Sequence, residues 1–105
     1  MDITTGDGNT VVGYESGKTI NTGSYNTAIG ANNMLSLNSG NNNTSIGYNA
    51  GSTNQTGSGN IFVGYEAGPS SGNVSNKLYV ANSKDDTPLI YGDFSNNTLT
   101  INDNL

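Results

Sequence analysis

A spacing of seventeen residues organises this chain. Gly13, Gly30, Gly47 and Gly64 keep it, as do Gly6, Gly23, Gly40 and Gly57, and as do Asn9, Asn26, Asn43 and Asn60. Three positions that hold one period across four copies define a tandem array in which each copy is one turn stacked on the next. Such a chain points to a rod or fibre segment rather than a pocketed enzyme.

In register the repeats span 6–22, 23–39, 40–56 and 57–73 and share the pattern G-x-x-N-T-x-[VI]-G-Y-x-x-G. The position that reads as the core is Val12, Ile29, Ile46 and Val63. Thr10, Thr27, Thr44 and Ile61, two residues earlier, share that inward face by strand alternation, and Val11, Ala28, Ser45 and Phe62 point the other way. Each repeat is expected to form one short strand closed by its glycine, which supplies a positive φ or a corner too tight for a Cβ. The asparagine ahead of the strand reads as a residue that tolerates the left-handed region and bonds its own backbone. A second, weaker strand is expected around Thr19–Ile20, Ser36–Leu37 and Thr53–Asn54. Asn32 to Leu37 is too short and too polar for a helix. The expected fold is all-β: a β-solenoid, or β-roll, whose four rungs rise about 19 Å at ~4.8 Å each.

From about Val74 the text changes. KLYVAN (77–82), PLIYGDF (88–94) and TLTIN (98–102) are β-rich runs separated by turn signals at 84–88 and 95–97. They predict a three-stranded antiparallel meander that covers the open end of the solenoid. The expected division is therefore a repeat region, 1–73, and a meander cap or connector, 74–105.

Hydrophobic residues make up 31% of the chain, so each rung offers one or two large aliphatics. A lone coil of that kind buries little apolar surface against the entropy of ordering its backbone. Oligomerisation remedies a thin core, and a closed parallel homotrimer suits a fibre. The column Tyr14, Ala31, Tyr48, Tyr65 and the column Val11, Ala28, Ser45, Phe62 are the two candidates for an intersubunit seam. The tyrosines serve either that seam or a glycan platform.

The chemistry of sites is mostly excluded. Without His or Cys the common bases, zinc ligands and thiol nucleophiles are missing, and a Ser-His-Asp triad cannot form. Asp85, Asp86 and Asp93 read as solvated turn residues. Glu15 and Glu66 hold the same repeat position three rungs apart, about 14 Å, beyond the ~5–9.5 Å of a glycosidase pair, although a trimer seam would allow them to meet. A polysaccharide-acting enzyme on a solenoid would need Asp103 or Glu66 in a groove. Asp7 in the G-D-G-N-T run resembles a calcium β-roll turn, but Ser24, Asn41 and Ser58 replace it in the later repeats, so it reads as a structural turn. The threonine column is set aside as an ice-binding ladder because it is placed inside the coil and Ile61 breaks it. Three lysines, no arginine and a net charge of −5 oppose nucleic acid and anionic lipid as partners. No apolar run approaches a membrane span, and no signal-peptide pattern is present. No cofactor or metal is expected, and the chain is not expected to be an enzyme.

The N-T-A-I-G motif at 26–30 and N-T-S-I-G-Y-N-A-G at 43–51 resemble the head repeats of trimeric autotransporter adhesins, and more closely the repeat regions of phage tail fibres and related bacterial surface proteins. The segment 76–102 resembles the stretch that follows such repeats and often precedes a self-cleaving chaperone domain. The resemblance implies a trimeric left-handed β-roll on an extracellular, cell-surface or virion fibre. It also implies a cell-surface glycan or protein receptor. The chain departs from the adhesin pattern in its longer period and in carrying Thr where an aliphatic is usual. No chaperone sequence is present, so no protease residues carry over. The functional expectation is a structural and adhesive fibre module; the alternative is a purely structural subunit of a self-assembling filament.

Overall fold

The structure is a computed structural model that describes residues 6–102. Each N-T-x-[VI] segment forms a three-residue strand: β1 (Thr10–Val12), β2 (Thr27–Ile29), β3 (Thr44–Ile46) and β4 (Ile61–Val63). Neighbours pair in parallel with the seventeen-residue offset, Thr10 on Thr27 on Thr44 on Ile61. β5 (Lys77–Val80) then pairs in parallel with β4, Ile61 opposite Leu78. The first strand of the expected meander is therefore also a fifth rung. β6 (Ile90–Asp93) and β7 (Thr98–Ile101) add antiparallel, which completes one sheet in the order β1 to β7. The expected solenoid and antiparallel end are both present, joined into one sheet. The described residues contain no helix and fill an elongated envelope of 47 × 27 × 19 Å.

The second strand expected in each repeat is absent. Thr19–Ile20, Ser36–Leu37 and Thr53–Asn54 lie in or directly after turns. Ile20, Leu37 and Asn54 donate N–H to the carbonyls of Gly17, Met34 and Gly51 at 3.0, 3.2 and 3.3 Å. The cause is local: each return begins with left-handed residues, such as Asn32 (φ 54) with Met34 (φ 48), and Asn49 (φ 57) with Gly51 (φ 64). A strand cannot accommodate such dihedrals.

The strands face the opposite way to the sequence reading. Ala28, Ser45 and Phe62 are fully buried, whereas Val12, Ile29 and Ile46 are 57%, 39% and 44% exposed. The coil interior is narrow, and the return segments push Ile20, Met34 and Leu37 into it. Val11 and Ala28 of the strands complete the packing around those side chains. The core forms two clusters. Ile20, Ala28, Met34 and Leu37 pack with Val11 in the first, and Ala50, Phe62, Ala67 and Tyr79 pack with Val74, Ala81 and Tyr91 in the second. Ser45 lies between them with no hydrogen-bond partner for its Oγ.

The repeated asparagines have a different task from the one the sequence suggested. Asn26, Asn43 and Asn60 are buried, and none has a positive φ. Their side chains form a ladder that runs from rung to rung. Asn43 Nδ2 donates to Asn26 Oδ1 (3.0 Å) and to the Gly57 carbonyl (2.9 Å), while its Oδ1 accepts from the backbone N and Nδ2 of Asn60, both at 3.0 Å. Asn26 repeats the pattern on Asn9 and Gly40. Each buried amide is thereby satisfied by its neighbours, which is what burial of a polar group requires. The two glycine columns differ in kind. Gly47 needs its residue type for a φ of 132°, as Gly13, Gly30 and Gly64 do. Gly40 has ordinary dihedrals, but a Cβ there would strike the carbonyl oxygen of Gly57 on the next rung.

Candidate functional site

With the interior occupied, the exposed columns are where function can lie. Sheet register continues the outward face without a break. One column runs Thr10, Thr27, Thr44, Ile61, Leu78, Gly92, Leu99, and its neighbour runs Val12, Ile29, Ile46, Val63, Val80, Ile90, Ile101. None of these residues is charged. Leu99 and Ile101 are 64% and 61% exposed. Six inter-strand steps give the strip a length of about 29 Å. The threonines therefore face outward, contrary to the sequence reading. Their ladder ends after three rungs at Ile61, which leaves the short run as the ground for setting ice binding aside.

Past each left-handed glycine the chain turns off this face, and there the tyrosine column stands. The Asn32, Asn49 and Glu66 N–H groups donate to the carbonyls of Tyr14, Ala31 and Tyr48 at 2.8, 2.9 and 2.8 Å, so these positions stack rung on rung. Tyr48 and Tyr65 are stacked, with centroids 5.5 Å apart and planes 15° from parallel. Tyr14 is 75% exposed, and among the described residues no ring stacks on it. The negative charge of Glu66 beside Tyr65 holds that phenol above its ordinary range.

The carboxylates work as turn residues. Asp85 Oδ1 accepts from the N and Oγ1 of Thr87, Asp86 accepts from the N and Oγ of Ser70, and Asp93 accepts from Ser95 and Asn96. The side-chain hydrogen bond from Ser70 lowers the Asp86 pKa, and that from Asn96 lowers Asp93. Lys77 pairs with Asp93 at 3.3 Å, and Lys18 with Glu15 at 2.9 Å. Asp103 lies outside the described residues. Among the described residues no group of three or more His, Cys, Asp or Glu side chains is placed to hold a metal. Asp7 takes part in a second, exposed ladder: the backbone N–H groups of Asp7, Ser24, Asn41 and Ser58 each donate to the side-chain oxygen one rung on. Asp7 joins this ladder through its backbone N–H alone.

A groove of about 540 Å³ lies beside the outward strip, between Val63 and Val80 on one wall and Pro88 and Leu89 on the other. Its polar lining is Asn82, Ser83, Asp85, Thr87 and Asn102, with the Thr87 hydroxyl donating to Asp85 Oδ1 at 3.1 Å. The sequence reading placed Tyr14, Tyr48 and Tyr65 on the surface but missed the seven-strand face. The signal for it was present, because Leu78-Tyr79-Val80 stands seventeen residues after Ile61-Phe62-Val63. Comparison with protein-family models, with curated proteins and with solved structures returns no match.

Proposed function

We propose that this chain is a structural and adhesive module of an extracellular or virion fibre, assembled as a parallel homotrimer. The observation that supports the reading is the uncharged outward strip spanning all seven strands. Val12, Ile29, Ile46, Leu99 and Ile101 are its exposed aliphatics; exposed apolar surface of this kind marks an interaction surface, and identical chains cover identical strips by rotation about a shared axis. Backbone ladders then make a stiff rod, and identical copies supply avidity for a surface glycan or protein. Light scattering after size exclusion tests the assembly. The expected mass is constant with concentration and near three times 10.8 kDa. Ile46→Lys places a charge in the middle of the strip and is expected to yield a monomer with an unchanged β-sheet spectrum. A parent chain that is monomeric at all concentrations would overturn the proposal.

The filament reading also has an observation in its favour. Every residue of β7 is exposed, and among the described residues β1 pairs along one edge alone, so both ends of the sheet offer free backbone groups. A polydisperse mass that grows with concentration selects it.

A further inference from the structure

The stack is open at β1. The Thr10 N–H donates to the Asn26 carbonyl and the Val12 carbonyl accepts from Gly30, both at 2.8 Å. Thr10 and Val12 thus direct their backbone groups at β2, and Val11 between them points its own the other way. The N–H groups of Gly30 and Asn32 donate to the carbonyls of Val12 and Tyr14, one rung earlier. Among the described residues, those of Gly13 and Glu15 in the same register have no such acceptor. The in-register partner of Thr10–Val12 would stand seventeen residues upstream, ahead of Met1, so none of residues 1–105 takes the place by further winding.

The asparagine ladder defines what fits there. The backbone N and Nδ2 of Asn26 both donate to Asn9 Oδ1, at 3.0 and 3.1 Å, and those of Asn43 donate to Asn26 Oδ1, both at 3.0 Å. Asn9 Nδ2 donates to the Gly23 carbonyl at 2.8 Å, but neither it nor the Asn9 N–H meets an Oδ1 from an earlier rung among the described residues. Each ladder amide also donates to a glycine carbonyl on the following rung, Asn26 to Gly40 and Asn43 to Gly57. Gly6 holds that carbonyl for an asparagine ahead of Asn9. Asp7 occupies the register position of Ser24 and Asn41, whose side chains accept the N–H of the preceding rung, and a carboxylate strengthens such a bond. Glycine is required on both sides of the amide. A Cβ at Gly23 would strike the Gly40 carbonyl oxygen and one at Gly30 the Gly47 carbonyl, so a strand laid on Gly6 and Gly13 must lack a Cβ at the matching positions.

We infer that the β1 end is a docking site for one more strand, parallel and in register, that bears Gly-x-x-Asn-x-x-x-Gly and comes from outside residues 1–105. The incoming amide is read on both atoms: its Oδ1 by Asn9 N and Nδ2, its Nδ2 by the Gly6 carbonyl. Aspartate would set an oxygen against that carbonyl. The free edge of a second copy is rejected. With Asn97 in the amide position, β7 carries Phe94 and Ile101 in the two glycine positions. The backbone groups it would need, on Thr98 and Thr100, face β6 by alternation from the Asn102 bond to Leu89 at 2.9 Å. Selection of repeat sequence over β7 separates this site from end-to-end growth of a filament.

The test joins residues 40–51 directly ahead of Met1 of the whole chain, which keeps the seventeen-residue register and holds the added strand at high effective concentration. Amide hydrogen exchange is followed by NMR at pH 7 beside the unextended chain. Exchange at Val11 and Gly13 is expected to slow at least about tenfold. Replacing Asn43 of the added copy by Asp, or its Gly40 and Gly47 by Ala, returns both amides to within about twofold of the unextended chain. No slowing with the unmodified copy overturns the docking site. Equal slowing with the Asp or Ala copies overturns the selection, as does slowing at Val11 that grows with concentration in the unextended chain, which would seat β7 of a second copy there.

Discussion

Asn43→Asp replaces one amide nitrogen by oxygen and leaves the shape of the ladder unchanged. Oδ1 keeps its two donors from Asn60 at 3.0 Å each. The other atom, which donated to Asn26 Oδ1 and the Gly57 carbonyl at 3.0 and 2.9 Å, becomes an oxygen facing two oxygens. Protonated, the new group restores one of those bonds, and the remaining loss is about 2 kcal/mol. Ionised, it is a desolvated carboxylate beside two carbonyl dipoles, which raises its folded pKa by roughly 2–3 units. At 1.36 kcal/mol per unit this adds about 3–4 kcal/mol at neutral pH. The total, roughly 5–6 kcal/mol, is comparable with the ~5–15 kcal/mol stability of a domain this size. A raised folded pKa favours the neutral form. The deficit is therefore smallest below the unfolded value near ~3.9 and grows as pH rises toward the folded one. Urea denaturation of variant and parent at pH 4, 5.5 and 7, at equal chain concentration, measures it. Asn42→Asp, at an exposed left-handed position, is the control and stays within about 0.5 kcal/mol of the parent. A deficit for Asn43→Asp that is flat with pH, or below about 1 kcal/mol at pH 7, would refute the ladder as a source of stability.

Ser45→Ala removes a buried hydroxyl that has no partner and is expected to raise stability by about 1 kcal/mol in the same denaturation assay; a loss instead would reveal a partner for Oγ. Tyr79, buried against Phe62 and Tyr91, has its phenol pushed up to about 12, first by burial and then by the charge of Tyr91. Its contribution is complete below the unfolded value near ~10 and is lost as pH rises through 12. Alkaline unfolding should therefore soften in Tyr79→Phe, and an identical alkaline midpoint would count against the assignment. Native-state hydrogen exchange should release the Gly30 amide, bonded to Val12, before those of Gly64 and Ala81, bonded to Ile46 and Val63. The reason is that Ser45 divides the core and the aromatics sit on the C-terminal side. Uniform protection along the sheet contradicts that division.

The period made the pairing legible. Once the glycines and asparagines were aligned, the register of every parallel pair up to β4 followed, because stacked turns of equal length place equal positions side by side. The face turned inward was not legible. Alternation defines two faces for a strand and gives no preference between them, and the bulkier column, Val12 to Val63, drew the core assignment. What decides is the return segment, whose Ile20, Met34 and Leu37 claim the interior from positions that two-residue periodicity does not reach. Asparagine was misread for a related reason. The chain uses it in two ways: Asn32, Asn42 and Asn49 take positive φ, while Asn26, Asn43 and Asn60 extend amides between rungs. Local sequence shows only the first use. Tyr14, Tyr48 and Tyr65 are exposed, past the corner glycines where the chain turns off the sheet face.

The end of the parallel stack is written in two substitutions within the same register. Lys77 stands where Asn60 would repeat, and Ala81 where Gly64 would. The Lys77 backbone still donates to Asn60 Oδ1 at 3.0 Å, so the ladder is received, but no amide oxygen is offered onward. The ammonium instead reaches Asp93 on β6, directly opposite in the antiparallel pair. Ala81 takes no positive φ, unlike the four corner glycines, so the path that started each new turn is closed. Together they convert rung-by-rung winding into a hairpin, and the coil acquires a capped end and, at β1, an edge with no strand beyond it among the described residues. This polarity bears on the proposed assembly. The outward strip is threonine-bearing over β1 to β3 and aliphatic from β4 to β7, so antiparallel chains would set Thr10 against Leu99, whereas parallel chains match like with like along the whole length. Hydroxyl against hydroxyl and aliphatic against aliphatic leaves fewer desolvated polar groups without partners, and that asymmetry favours the parallel arrangement.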